Sequence, residues 1–385
     1  MRGKTVKLLH TSDLHIGRQF NGISLEEDHQ VVLDQVVDMA KKNNVQALII
    51  AGDIFDRAAP PASAVRQFNA FLTRIASETS AAVAMIAGNH DSGDRIASMS
   101  IMTDVQRALI RGTISADEPP FLLSDEHGPI AFSALPFAYE YTARECFADE
   151  TIETPEDVLT AQIATARSNL PDGARWIVVA HAFVTGGAVS DSERSLTKVG
   201  GIETVRTNIF DDAHYVALGH LHRPQFVGAP HIRYSGAPLV FGFDEADSEK
   251  SASLVNIDGD GQVKVEEIPF YPRRRARILR GKHAELLLSK PSDDFIKVVL
   301  TDKTPVIDGM KRLRDVFPNA CELSYERDER VAEINSMENR RTTTTNPMEV
   351  VSDFLRTVRE DDVTDAEQNI LASTLSRLQG REDAE

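Results

Sequence analysis

Residues 7–17 read "KLLHTSDLHIG": an apolar run, Leu8 and Leu9, stops in two metal-competent side chains, Asp13 and His15, with Gly17 just beyond them. A carboxylate and an imidazole one residue apart, on the loop leaving a strand, can point into one cavity, and Gly17 relaxes the backbone after them. Such a pair arises often by chance and decides nothing alone. It gains weight because four more apolar runs share the design: "ALIIAGD" (47–53), "AVAMIAGNHD" (82–91), "RWIVVAH" (175–181) and "HYVALGHLH" (214–222). Each reads as a buried strand that stops in Asp, Asn or His.

Between the first two runs, Val32, Val36 and Met39 recur at helical spacing, and between the second and third Val65, Phe68, Leu72 and Ile75 do the same. Strand, helix, strand implies right-handed crossovers and a mainly parallel core. After residue 222 the texture changes: "IRYSGAPLVFGF" (232–243) and "SASLVNIDGDGQVKVEEI" (251–268) read as β-hairpins and close a first domain, 1–270. A small α+β domain, 271–335, follows, with "DFIKVVLTD" and "CELSYE" as strands around the helix "VIDGMKRLRDVF". Residues 336–345 read as a polar linker.

The tail, 346–385, predicts two helices. Asn346 and Pro347 start the first, and a Thr364/Glu367 capping box starts the second. Phe354, Leu355, Ile370, Leu371, Leu375 and Leu378 leave apolar stripes that call for another protein, the competing reading being a helical hairpin folded back on the main domain.

The strand ends together supply mixed oxygen and imidazole donors for two divalent ions. Asp13, His15, Asp53 and His222 suit one ion, and Asp53, Asn89, His181 and His220 the other, with Asp53 bridging. Ligation without thiolate favours Mn²⁺, Fe²⁺ or Zn²⁺ over Ca²⁺ or Mg²⁺, and Mn²⁺ suits a labile catalytic pair best. Two ions about 3.5–4 Å apart can activate water and neutralise phosphoryl charge, so the implied chemistry is phosphoester hydrolysis. His90 is spared from ligation and suits transition-state stabilisation or protonation of the leaving oxygen, with Asp56 orienting it. His10, His29, His127, His214, His231 and His283 read as structural.

Composition narrows the class. The 385 residues carry a formal net charge of −17, which argues against a passive basic coat for nucleic acid. One basic stretch stands out, "YPRRRARILRGK" (271–282), equally readable as a solvated connection or a phosphate contact. No segment approaches the roughly 20 apolar residues of a membrane span. Cys146 and Cys321, neither in a CxxC pair, predict a reducing cytoplasm.

The blocks "DLH", "GDIFD", "GNHD", "VAH" and "GHLH" resemble the signature of the calcineurin-like metallophosphoesterases. That resemblance implies an α/β fold (α+β by some schemes), a double β-sandwich flanked by helices, with mixed rather than parallel sheets and a two-metal site. "SDLHIGR", "AGDIFDRAAPP", "GNHDSGDR", "SERSLTKVGGIETV", "YVALGHLHRPQ" and "RYSGAPLVFGFDE" are similar more narrowly to the SbcD family of exonuclease subunits. By that resemblance the region 271–335 is a DNA-capping domain and the tail a partner-binding element. The substrate is DNA, as ends and hairpins, cut as double-strand exonuclease and single-strand endonuclease. The partner is an SbcC-type ATPase with a coiled coil, in a complex with a dimer of each subunit and no membrane. A small-substrate phosphodiesterase or phosphatase of the same superfamily, and a DNA-end scaffold with structural metals, are the rival readings.

Overall fold

The computed structural model describes residues 5–328 apart from 101–103, 105, 194–196, 199, 200 and 203, gives only the backbone of 197, 198, 201 and 202, and adds residue 364. The linker, the tail helices and most of the "VGG" stretch lie outside the described residues.

The apolar runs fold as expected. The first sheet begins with β1 (Val6–Thr11), β2 (Ala47–Ala51), β3 (Ala82–Ile86) and β4 (Ala108–Arg111). The second takes β5 (Phe121–Asp125), β6 (Gly128–Leu135), β7 (Arg175–His181), β8 (Tyr215–Gly219), β9 (Gln225–Val227) and β10 (Ala229–Tyr234). The chain then returns to the first sheet with β11 (Ser251–Ile257) and β12 (Val263–Pro269). The orders are β12-β11-β1-β2-β3-β4 and β9-β10-β8-β7-β6-β5. β1 to β4 are mutually parallel, as are β6, β7, β8 and β10. Antiparallel strands flank each run: β11 beside β1, with β12 outermost, and β5 and β9 at the edges of the second sheet. Both sheets are therefore mixed. The parallel-core expectation holds for the strands that carry the candidate ligands and fails at the margins, where hairpins complete each sheet.

The sheets pack face to face through alternate residues: Leu8, Ile49, Ala51, Ala84 and Ile86 on one side meet Phe132, Ile177, Val179, Tyr215 and Ala217 on the other. Their outer faces are covered by helices, α1 (Glu26–Asn43) and α2 (Ala62–Glu78) on the first and α3 (Pro155–Ser168) on the second. Burial on both faces explains why these strands read as unbroken apolar runs. On α2 the buried stripe is Ala64, Phe68, Phe71 and Ile75, with Val65 and Leu72 only half-buried, a rotation of the predicted stripe by part of a turn.

The predicted hairpin at 232–243 is corrected. β10 ends at Tyr234, and the chain runs on unpaired with Ala237, Leu239 and Phe241 buried. Their apolar demand is met by side-chain packing against the α1/α2 layer rather than by a ladder. The hairpin at 251–268 forms as expected, β11 with β12. Three further strands, β13 (Ala276–Gly281), β14 (Phe295–Leu300) and β15 (Ala320–Tyr325), make a sheet in that order. The chain divides into two units, one of Met1–Ile278, Pro291–Lys297 and Arg314–Cys321, the other of Leu279–Lys290, Val298–Leu313 and Glu322–Glu385. No helix among the described residues is long and apolar enough to cross a membrane.

The basic stretch is largely neutralised by carboxylates. Arg273 pairs with Glu27 at 2.9 Å, Arg277 with Asp294 at 3.3 Å and Arg280 with Glu326 at 3.1 Å. Arg274 binds the buried Asp28, donates to the Ser24 carbonyl and lies 4.4 Å over the Phe295 ring. Replacing Arg274 with methionine strands the Asp28 carboxylate in the core, so a loss of about 3–5 kcal/mol is expected. Denaturant unfolding reads it directly, and an unchanged midpoint would show that the pair contributes nothing net.

Candidate metal centre

The carboxy-terminal ends of five parallel-sheet strands deliver the site. β1 leads to Asp13 and His15, β2 to Asp53, β3 to Asn89 and His90, β7 ends on His181, and β8 leads to His220 and His222. The turns that present them are strained: Asp13, His15, Asp53 and His220 all have positive φ, at 52°, 44°, 49° and 111°. Non-glycine residues there cost about 1–3 kcal/mol each and persist only where the surroundings hold them. Gly17 follows at φ 96°, as the loop reading requires. Gly88 has a different duty: a Cβ there would lie 2.2 Å from Asp53 Oδ1, so the β3 loop can pass the carboxylate only without a side chain.

Two sets of donor atoms converge. His15 Nε2 and His222 Nε2 stand 3.2 Å apart, and Asp13 joins them within ligand range. His222 Nδ1 faces Ser192 Oγ at 2.7 Å and Glu245 Oε1 at 3.3 Å, which holds the proton on Nδ1 and leaves Nε2 a lone pair. Two nitrogens about 2.1 Å from a shared ion lie roughly 3.0–3.4 Å apart, so the His15/His222 spacing fits a divalent cation. In the second set, Asn89 Oδ1 sits 3.0 Å from His181 Nε2 and 3.1 Å from His220 Nδ1. His181 Nδ1 donates to the Ala51 carbonyl, which again frees Nε2. Asp53 Oδ2 lies between the sets, 3.7 Å from His15 Nε2 and 3.5 Å from His181 Nε2. Asp13, Asp53 and His181 form a further cluster within ligand range.

Charge in the metal-free site is unevenly placed. Burial pushes Asp13 up to about 6 against the pull of His181 and His222. Burial would raise Asp53 too, but His181, His15 and His90 hold it well below the carboxylate range. His181, which burial would lower, is raised to about 9 by Asp53 and Asp13. Burial, with help from His181, drives His220 down to about 3. The centre thus carries an anionic Asp53 against a cationic His181, a proton that a metal must displace.

His90 is half-buried. Its ring meets His15 edge-on at 4.8 Å, its backbone N–H donates to Asp53 Oδ1, and its Nδ1 donates to the main-chain carbonyl of Asp56 at 2.9 Å. The orienting group is thus the Asp56 backbone. The Asp56 carboxylate lies 3.8 Å from His15 Nδ1 and 3.6 Å from Arg18, and with His15 and His90 it forms another group of donor atoms within ligand range. Four of the other histidines make structural contacts: His10 bonds Tyr215 and Leu218, His29 bonds Leu14, His283 bonds Gly309, and His214 accepts from the Trp176 backbone.

Several supporting residues escaped the sequence reading. Asp91 accepts from the backbone of Ile54, Phe55 and Gly88 and ties the β2 and β3 loops together. Glu193 accepts from the His222 backbone at 2.6 Å. Lys250 holds Glu245 Oε2 at 2.6 Å and the His222 carbonyl at 2.8 Å. The Phe241 ring packs against His15 and His222 at 5.2 and 5.3 Å, with the Arg18 guanidinium 4.6 Å over it. Glu245→Gln is expected to weaken metal at the His15/His222 position about 10–100-fold while sparing the Asn89 side. Calorimetric metal titration measures both steps, and equal weakening of the two would refute the assignment.

Residues 6–224 match the calcineurin-like phosphoesterase family, and the chain belongs to it. The family is hydrolytic and depends on divalent metals. Residues 272–359 match the SbcD C-terminal domain, described as the type 5 capsule protein repressor C-terminal domain. The pairing of these two domains is that of the SbcD family of nuclease subunits. Among solved structures, TT1561 of Thermus thermophilus is similar at 13% identity over 69% of this chain and 99% of its own, with a TM-score of 0.39.

Proposed function

We propose that the chain is the nuclease subunit of an SbcCD-type complex, hydrolysing DNA phosphodiester bonds at two divalent ions, with Mn²⁺ the working metal. The observation that carries this is the convergence of the two donor sets on a shared Asp53, with His90 beside them, within range of His15 and Asp56 but assigned to neither set. Asp13, His15, Asp53 and His222 would hold one ion and Asp53, Asn89, His181 and His220 the other. Bound there, the ions supply Lewis-acid stabilisation of phosphoryl charge and a nucleophilic water at neutral pH.

The chain's own residues do the rest. With Nδ1 committed to the Asp56 carbonyl, the His90 ring offers Nε2 to the substrate, where the protonated form can donate to a leaving oxygen. Phe241 closes the side of His15 and His222 to water, which strengthens the electrostatics inside. The region 271–335 is proposed to cap the DNA and 346–385 to dock on the coiled coil of the ATPase, in a complex with two copies of each subunit working in the cytoplasm. Cutting the chain after Thr345 is expected to spare Mn²⁺-dependent cleavage and abolish association with the ATPase; an unstable truncation that still binds would assign the tail to the main fold.

The test of the reading is digestion of duplex, hairpin and single-stranded DNA with Mn²⁺, with and without the ATPase and ATP. Cleavage of ends and hairpins supports it. Turnover of small phosphodiesters with no oligonucleotide cleaved would favour the small-substrate reading, and DNA binding without hydrolysis the scaffold.

A further inference from the structure

Beyond β6 the chain sets three aromatic side chains at alternate positions, Phe137, Tyr139 and Tyr141. Phe137 meets Tyr139 edge-on with centroids 5.1 Å apart, and Tyr139 stacks on Tyr141 at 5.6 Å with only 10° between the planes. Phe137 is half-buried, whereas Tyr139 is 48% and Tyr141 64% exposed. The helix that follows, Glu140–Phe147, buries Glu140 and Ala143 and leaves both tyrosines to solvent.

The inner end of this ladder adjoins the metal centre. The Phe137 N–H donates to the Ala87 carbonyl, two residues before Asn89, and Phe137 lines one pocket with His181 and Phe183. The Phe183 ring in turn lies 6.2 Å from that of His220. The rings of Phe137, Tyr139 and Tyr141 thus lead outward from a pocket that His181 and Phe183 also line.

The chain carries a net charge of −17, and its densest basic stretch is mostly paired with carboxylates, so that stretch is a poor contact for a polyphosphate. Stacking gives sequence-neutral affinity without cations, since every base has a π-face. We propose that Tyr139 and Tyr141 are a stacking platform for the unpaired nucleobases of the strand being cut, an inference that rests on the DNA reading above. The platform selects single-stranded or frayed ends over paired duplex, because bases inside a duplex have both faces covered by their neighbours and the end pair offers only one.

The test uses the full chain with Mn²⁺ and compares the wild type, Tyr139→Leu/Tyr141→Leu and Tyr139→Phe/Tyr141→Phe. Substrates are a single-stranded oligonucleotide, the same strand with abasic sites beside the cleaved bond, and bis(p-nitrophenyl) phosphate. The leucine pair is expected to raise KM for the normal strand about tenfold or more with kcat little changed. It should also erase the discrimination between normal and abasic strands that the wild type shows. The phenylalanine pair keeps the ring faces and should behave as wild type. Retained small-ester turnover shows that the leucine protein is folded; if it is lost, Tyr141→Leu alone, at the more exposed position, carries the same comparison. A wild type that cleaves oligonucleotide, with KM unchanged in the leucine variant, overturns the platform alone. A wild type that hydrolyses the small ester but no oligonucleotide overturns the DNA reading and the platform with it.

Discussion

Replacing His90 with alanine is expected to lower DNA hydrolysis by about 10²–10⁴ while both metal positions still fill. His90 lies within donor range of His15 and Asp56, yet its Nδ1 is spent on the Asp56 main-chain carbonyl and it belongs to neither of the two sets that share Asp53. An imidazole so placed acts on charge that develops at the leaving oxygen, and this term vanishes in the ground state. Metal content and rate should therefore separate. Metal analysis of the purified variant, beside its turnover, reads both. Loss of metal along with rate would make His90 a ligand, and full activity would leave it without a role.

Asp53→Asn should instead remove both together, taking metal binding at both positions and hydrolysis below detection. One carboxylate lies between the two donor sets, and it also accepts from the His90 backbone, so a neutral amide weakens both cation positions and loosens the His90 turn. The metal-free protein gives an independent check. Asp53 is the main group that lifts His181 to about 9, so in the variant that imidazole should titrate well below that value in an NMR pH series. A variant that kept one tight site and a high His181 pKa would show that Asp53 serves a single ion.

The candidate ligand set was legible because parallel strands end at one edge and because a gathering of Asp, Asn and His after buried apolar runs is costly unless the groups are paired or bind an ion. Seven residues from five strand ends needed no long-range information beyond that. What stayed hidden depends on the main chain or on distant pairing. Asp56 was read by its side chain, but its carbonyl holds His90. Glu245 and Lys250 sit in an acid-rich stretch, "FDEADSEK", that looks solvated until the return of β11 to the first sheet buries them under His222. Arg274 and its partner Asp28 are 246 residues apart, so no local pattern tells a buried ion pair from a phosphate contact. The antiparallel margins of both sheets were hidden for the same reason, since β11 joins β1 only through tertiary register.

Crystals grown with Mn²⁺ and measured at the manganese edge put the two-ion arrangement to the most direct trial. Two anomalous peaks are expected, one enclosed by Asp13, His15 and His222, the other by Asn89, His181 and His220, with Asp53 touching both. A single peak, or manganese bound away from the strand ends, would contradict it.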